Sequence, residues 1–95
     1  MTDREVYIKK MKAKLDKWDA DIDQLEARSK KAKADLKLKY SDEIDRLKAQ
    51  REEAAGKLSE LKRAGEGAWG DLKIGIESAW DTLGTAVSSA LSRFK

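Results

Sequence analysis

The chain has 95 residues, 41% of them charged and 40% hydrophobic, with a formal net charge of +3. That is one small domain at most, with little apolar material for a closed core; the abundance of Ala, Lys, Leu, Asp and Glu without any proline is the composition of long helices and coiled coils. Cysteine and histidine are both absent, which excludes disulfides, thiolate nucleophiles, the common zinc ligands and the side chain best suited to proton transfer near neutral pH.

The chain opens Met1-Thr2-Asp3-Arg4-Glu5, where no apolar stretch fits a signal peptide, and no later segment is long enough to span a bilayer. A cytoplasmic protein is expected, touching a membrane peripherally at most. Thr2 stands three residues before Glu5, the spacing of a capping box, so a helix is predicted from about residue 3. Apolar residues then fall at Ile8, Met11, Leu15, Trp18, Ile22 and Leu25 in alternating steps of three and four, a heptad seam that predicts coiled-coil packing. Past Leu25 the seam thins, with small Ser29 and Ala32 on the stripe, and Leu36, Tyr40, Ile44 and Leu47 include two consecutive steps of four. This stutter moves the local period toward about 3.67 residues per turn. Only Gly56 disfavours helix here, at about 1 kcal/mol, so one helix is predicted over residues 3–63, a rod of about 90 Å.

A large apolar residue recurs at every eleventh position, Leu25, Leu36, Leu47, Leu58, Trp69, Trp80 and Leu91. Eleven residues make almost three helical turns, so this column keeps to one face. The composition nevertheless changes at Ala64-Gly65-Glu66-Gly67: residues 1–63 hold eighteen basic and fourteen acidic side chains, and residues 64–95 hold three and four. A hinge is predicted over residues 64–67, with one uninterrupted helix within an assembly as the alternative, because the eleven-residue phase runs straight from Leu58 to Trp69 across Gly65 and Gly67. Gly65 is expected in the left-handed conformation that follows a helix end, with Lys62 and Arg63 complementing the helix dipole.

Beyond the hinge, Ala68-Trp69-Gly70-Asp71-Leu72 is echoed by Ala79-Trp80-Asp81-Thr82-Leu83, and a truncated third copy starts at Ala90-Leu91. In a helix over residues 68–94, Trp69, Leu72, Ile76, Trp80, Leu83, Val87, Leu91 and Phe94 share an apolar arc of about 140°, wide enough for two neighbours or a surface. The opposite face carries Ser78, Thr82, Thr85, Ser88, Ser89 and Ser92. A neutral outer face behind a broad apolar one is the pattern of helices that enter lipid by hydrophobic insertion, and also of helices packed on another chain.

Lysines cluster at Lys9, Lys10, Lys12 and Lys14 and again at Lys30, Lys31 and Lys33, with Lys37 and Lys39 beyond, separated by an acidic block of Asp16, Asp19, Asp21 and Asp23. The basic residues make no continuous stripe, so nucleic-acid binding is disfavoured, and the blocks read as solvated faces or as register marks between chains. The acidic block lies on a helix with no loop to wrap a cation, so no metal site is expected. No cofactor and no catalytic residue is expected either.

Leu15-Asp16-Lys17-Trp18-Asp19-Ala20-Asp21-Ile22-Asp23, the Gly67-Ala68-Trp69-Gly70-Asp71-Leu72-Lys73 junction and the Ala79-Trp80-Asp81 repeat together resemble the small bacterial coiled-coil stress-response proteins, over nearly the whole length. The resemblance implies a soluble helical protein, induced under stress, with no catalytic residues to carry over. The eleven-residue period is also similar to that of apolipoprotein-type amphipathic helices, although those alternate acidic and basic residues where this chain has Ser and Thr.

The expectation is an all-α protein in which a long helix (1–63) and a shorter one (68–95) form an antiparallel helical hairpin. The shorter helix, about 40 Å long, would cover only part of the rod and leave the Ile8–Leu25 seam exposed. Homo-oligomerisation or a place in a larger protein assembly would then follow. The function expected is that of a non-enzymatic interaction or scaffold protein. Its interface would be formed by the Ile8–Leu25 seam and the apolar face that runs from Trp69 to Phe94. Peripheral membrane binding through residues 68–94 is the competing reading.

Overall fold

The computed structural model describes residues 2–94 and folds them into three α-helices: α1 (Asp3–Lys31), α2 (Ala34–Arg63) and α3 (Glu66–Arg93). Met1 and Lys95, the outer bounds of the two segments expected from sequence, lie outside the described residues. The all-helical class is as expected, and no strand occurs among the described residues. Two features differ from expectation. The helix predicted over 3–63 is interrupted at Ala32-Lys33, so three helices of 29, 30 and 28 residues replace one long and one short helix. The hinge predicted over 64–67 is shorter, since Glu66 and Gly67 already belong to α3.

The start of α1 follows from its sequence, because Thr2 Oγ1 accepts a hydrogen bond from the Glu5 amide at 3.2 Å, the Thr half of the predicted capping box. The interruptions are less local in origin. Ala32 (φ −78°, ψ 156°) and Lys33 (φ −67°, ψ 157°) are extended, although both residue types favour helix. What yields there is the stripe, which at Ser29 and Ala32 has little to bury. A break at that point sacrifices a few helical hydrogen bonds and brings the apolar stripes before and after it face to face. At the second turn Ala64 (φ −73°, ψ 144°) and Gly65 (φ −75°, ψ 169°) are extended too. The left-handed Gly65 expected from sequence is therefore corrected, and no glycine among the described residues has a positive φ.

Cross-helix pairs give the directions. Asp19 with Arg51 and Glu26 with Lys48 set α1 against α2 in antiparallel register. Tyr40 with Phe94 and Glu43 with Arg93 do the same for α2 and α3. Tyr7 meets Trp69, Met11 meets Trp80 and Arg28 meets Phe94, so α1 and α3 run parallel. The bundle measures 51 × 21 × 18 Å, and Leu25, Leu47, Leu61, Ile76, Leu83 and Val87 are fully enclosed at its axis.

In the eleven-residue column, Leu25, Leu47, Leu58 and Trp80 are buried and Trp69 and Leu91 half-buried. Leu36 departs from it, 43% exposed in the first turn of α2. The chain exposes 6395 Å², whereas a compact monomer of 10.7 kDa exposes about 5500 Å². Against an extended chain of about 15,500 Å², about 60% of the surface is buried, the share typical of a domain of about 60 residues. The core is thin for the length of the chain.

Candidate functional site

The seam expected to await a partner lies inside this bundle. Met11, Leu15, Ile22 and Leu25 are buried, and Ile8 and Trp18 pack half-buried against the same core. From α3, Ile76, Trp80, Leu83, Val87 and Phe94 are buried, and Trp69, Leu72 and Leu91 are half-buried beside them. The expectation that the Ile8–Leu25 seam stays uncovered in one chain is corrected. The break at Ala32-Lys33 returns α2 along α1, and α3 then closes over both.

Sequence reasoning left Ala54, Leu61 and Tyr7 out of the interface. Leu61 has no exposed surface and Ala54 is 1% exposed. Their signal was present, since Ala54, Leu58 and Leu61 continue the stripe in steps of four and three, and Tyr7 precedes Met11 by four.

Three clusters of contacts hold α3 on the other helices. At the end formed by the start of α1, the Tyr7 and Trp69 rings meet edge to face at 5.4 Å between centroids. The Arg4 guanidinium lies 5.3 Å from the Trp69 ring and donates to the Ala64 carbonyl at the end of α2. The Lys73 ammonium sits 4.8 Å from the Tyr7 ring. These cations occupy the ring faces, so the shallow groove beside them, about 420 Å³, is not an open aromatic box. Burial, reinforced by the Glu77 carboxylate that accepts from its hydroxyl at 3.4 Å, pushes the Tyr7 phenol up to about 12.

Midway along the bundle, Trp80 Nε1 donates to the Met11 carbonyl at 3.2 Å and its ring lies 6.3 Å from that of Trp18. Gly84 admits Trp18 there: a Cβ on Gly84 would stand 3.1 Å from Trp18 Cζ2. At the far end the Tyr40 ring stacks on Phe94 at 4.1 Å, and the Phe94 carbonyl accepts from the Tyr40 hydroxyl at 3.0 Å and from Arg28 at 3.3 Å.

Between α1 and α2 the contacts at the surface are ionic. Arg51 donates through Nε and Nη2 to the two Asp19 carboxylate oxygens at 2.8 and 3.0 Å, and this hydrogen bonding raises the Arg51 pKa above its ordinary value. The Glu26 carboxylate does the same to Lys48 through its hydrogen bond. Such pairs at the rim of the bundle, partly buried for Asp19 and Arg51 and more exposed for Glu26 and Lys48, favour one antiparallel register over others more than they add stability.

Among the described residues no group of three or more His, Cys, Asp or Glu is placed to hold a metal ion. No described helix is long and apolar enough to cross a membrane. The Trp69–Phe94 face is turned into the core, while Ser78, Thr82, Thr85, Ser88, Ser89 and Ser92 are exposed on the other side of α3. The fold is an up-down-up bundle of three helices. No protein-family model matches the chain, and comparison with curated proteins and with solved structures gave no match.

Proposed function

We propose that this chain is a non-enzymatic helical interaction module that associates by exchanging α3, either with a second copy of itself or with an apolar helix of a partner protein. The observation that carries this reading is the turn at Ala64-Gly65. Both residues are extended with negative φ, and the apolar stripe keeps its phase across them through Leu58, Leu61, Trp69 and Leu72.

If the turn straightens into helix, α2 and α3 become one rod with a continuous stripe, and α3 covers the α1–α2 pair of another chain. The contacts made in the closed and exchanged forms are the same, which makes exchange a low-cost route to a dimer. A stress-related role for such a module is part of the proposal and is supported only by the resemblance of the segment around Trp18, the Gly67–Lys73 junction and the Ala79-Trp80-Asp81 repeat to small bacterial coiled-coil stress-response proteins.

Sedimentation over a range of concentrations tests this, with Gly65→Pro as the discriminating variant. Proline fits φ −75° and the extended Ala64 before it, but it cannot continue a helix. The parent is expected to form dimers as concentration rises, and Gly65→Pro to remain monomeric. A parent that is monomeric throughout removes exchange with a second copy, and a Gly65→Pro protein that dimerises equally sinks exchange through this turn altogether.

A further inference from the structure

The break between α1 and α2 changes the meaning of the lysine blocks. On an uninterrupted rod, Lys30, Lys31, Lys33, Lys37 and Lys39 would be spread around and along a helix. With the chain turning at Ala32-Lys33, all five are exposed at one pole of the bundle. Lys39, the furthest from the turn, is within about 9 Å of the start of α2 along the helix axis.

Over residues 28–39 there are six basic side chains and one acidic, Asp35. None of the five lysines is within ion-pair distance of a carboxylate among the described residues. The same short segment carries Leu38, 72% exposed, and Leu36, 43% exposed, two of the four large hydrophobic side chains that are exposed among the described residues. Leu36 is the one member of the eleven-residue column that the core does not take up.

We propose that this pole, residues 30–39, is a docking surface for an anionic lipid bilayer, on which the bundle stands end-on. Unpaired lysines complement a negatively charged surface, and exposed leucines gain by entering its boundary with the acyl chains. The leucines decide between polyanions: a nucleic-acid backbone rewards the lysines but offers nothing to Leu36 or Leu38, and no aromatic ring is exposed at this pole for bases to stack on. The site is independent of α3 exchange, since it requires no opening of the bundle.

The test is co-sedimentation of the full chain with vesicles of phosphatidylcholine alone and of phosphatidylcholine with phosphatidylserine, at low and high salt. Binding is expected to the anionic vesicles and to weaken with salt. Each lysine near such a surface adds about fivefold to binding, so Lys30→Glu, Lys31→Glu and Lys33→Glu together should weaken it by at least on the order of 100-fold. Leu36→Ser with Leu38→Ser, at unchanged charge, should weaken it about tenfold. Lys37→Glu with Lys39→Glu is the second charge variant, and helical circular dichroism checks that each protein is folded. Gly65→Pro should bind like the parent, which separates this proposal from the exchange of α3. No binding to anionic vesicles, equal binding to neutral ones, or binding that ignores the leucines and is displaced by duplex RNA would each overturn it.

Discussion

Single residues in this bundle act through the space and the protons they control. Gly84 is the position where α1 and α3 approach through a side chain, with the Trp18 ring in the place a Cβ would need. Gly70 and Gly75 lie in the same helix with nothing within 4 Å of their would-be Cβ atoms. Gly70→Ala is therefore expected to raise stability by about 0.5–1 kcal/mol through the helix preference of alanine. Gly84→Ala should gain less, because its methyl presses on Trp18; paired thermal melts, with Trp18→Ala as background, separate the two contributions. Tyr7 supplies a prediction about pH. Its phenol titrates near 12 in the fold and near the ordinary 10.0 in an unfolded chain. Between those values the unfolded chain releases a proton that the folded chain keeps, so the contribution of Tyr7 to stability is full below pH 10 and lost as pH rises toward 12. Urea titrations of the parent and Tyr7→Phe across that interval should show a steeper loss in the parent; equal slopes would remove the effect.

At the scale of the elements, the stripes were legible and the turns were not. Period alone placed Met11, Leu15, Ile22, Leu25, Leu47, Leu58, Trp80 and Val87 on buried faces, because an apolar side chain every three or four residues has one place to go. At Ala32-Lys33 the only local mark is the thinning of the stripe at Ser29 and Ala32, and the residues themselves favour helix; the break is imposed by antiparallel packing of α1 on α2, a long-range gain that local preference does not encode. The second turn was located by Gly65, yet the left-handed geometry read into that glycine is absent, and an L-residue could take its φ of −75°. Whether a stripe is covered by its own chain or by another is equally absent from the pattern, which is why the seam was read as an intermolecular interface. A prediction follows for both turns. Lys33 (φ −67°) follows an extended residue, as Gly65 does, and both positions suit proline. Lys33→Pro and Gly65→Pro should each stabilise the closed bundle by about 0.4–1 kcal/mol by restricting the unfolded chain. If the turns were strained or made hydrogen bonds through those amides, denaturation midpoints would fall instead.

At the scale of the whole molecule, a thin core and two helix-compatible turns set stability and association apart from each other. A chain of 95 residues has a folding free energy of about 5–14 kcal/mol, and the small share of surface buried here favours the lower part of that range. Under the proposed exchange of α3, closed and exchanged forms would bury the same residues, so a core substitution would weaken both, whereas a substitution in the Ala64-Gly65 turn would change the balance between them. Ile76, 1% exposed, is the probe for the first effect: Ile76→Ala should cost about 2–5 kcal/mol, enough to bring the urea midpoint well below that of the parent. Gly65→Ala is the probe for the second. Its Cβ would meet nothing within 4 Å, and alanine favours the straightened helix over glycine by about 1 kcal/mol in each of the two chains of a dimer, so dimers should appear at about thirtyfold lower concentration with the thermal midpoint of the dilute monomer little changed. Melts at low concentration and sedimentation at high concentration read the two quantities separately. If Ile76→Ala and Gly65→Ala moved stability and association together, the two forms would not share a core, and exchange of α3 would give way to a different interface on the outside of the bundle.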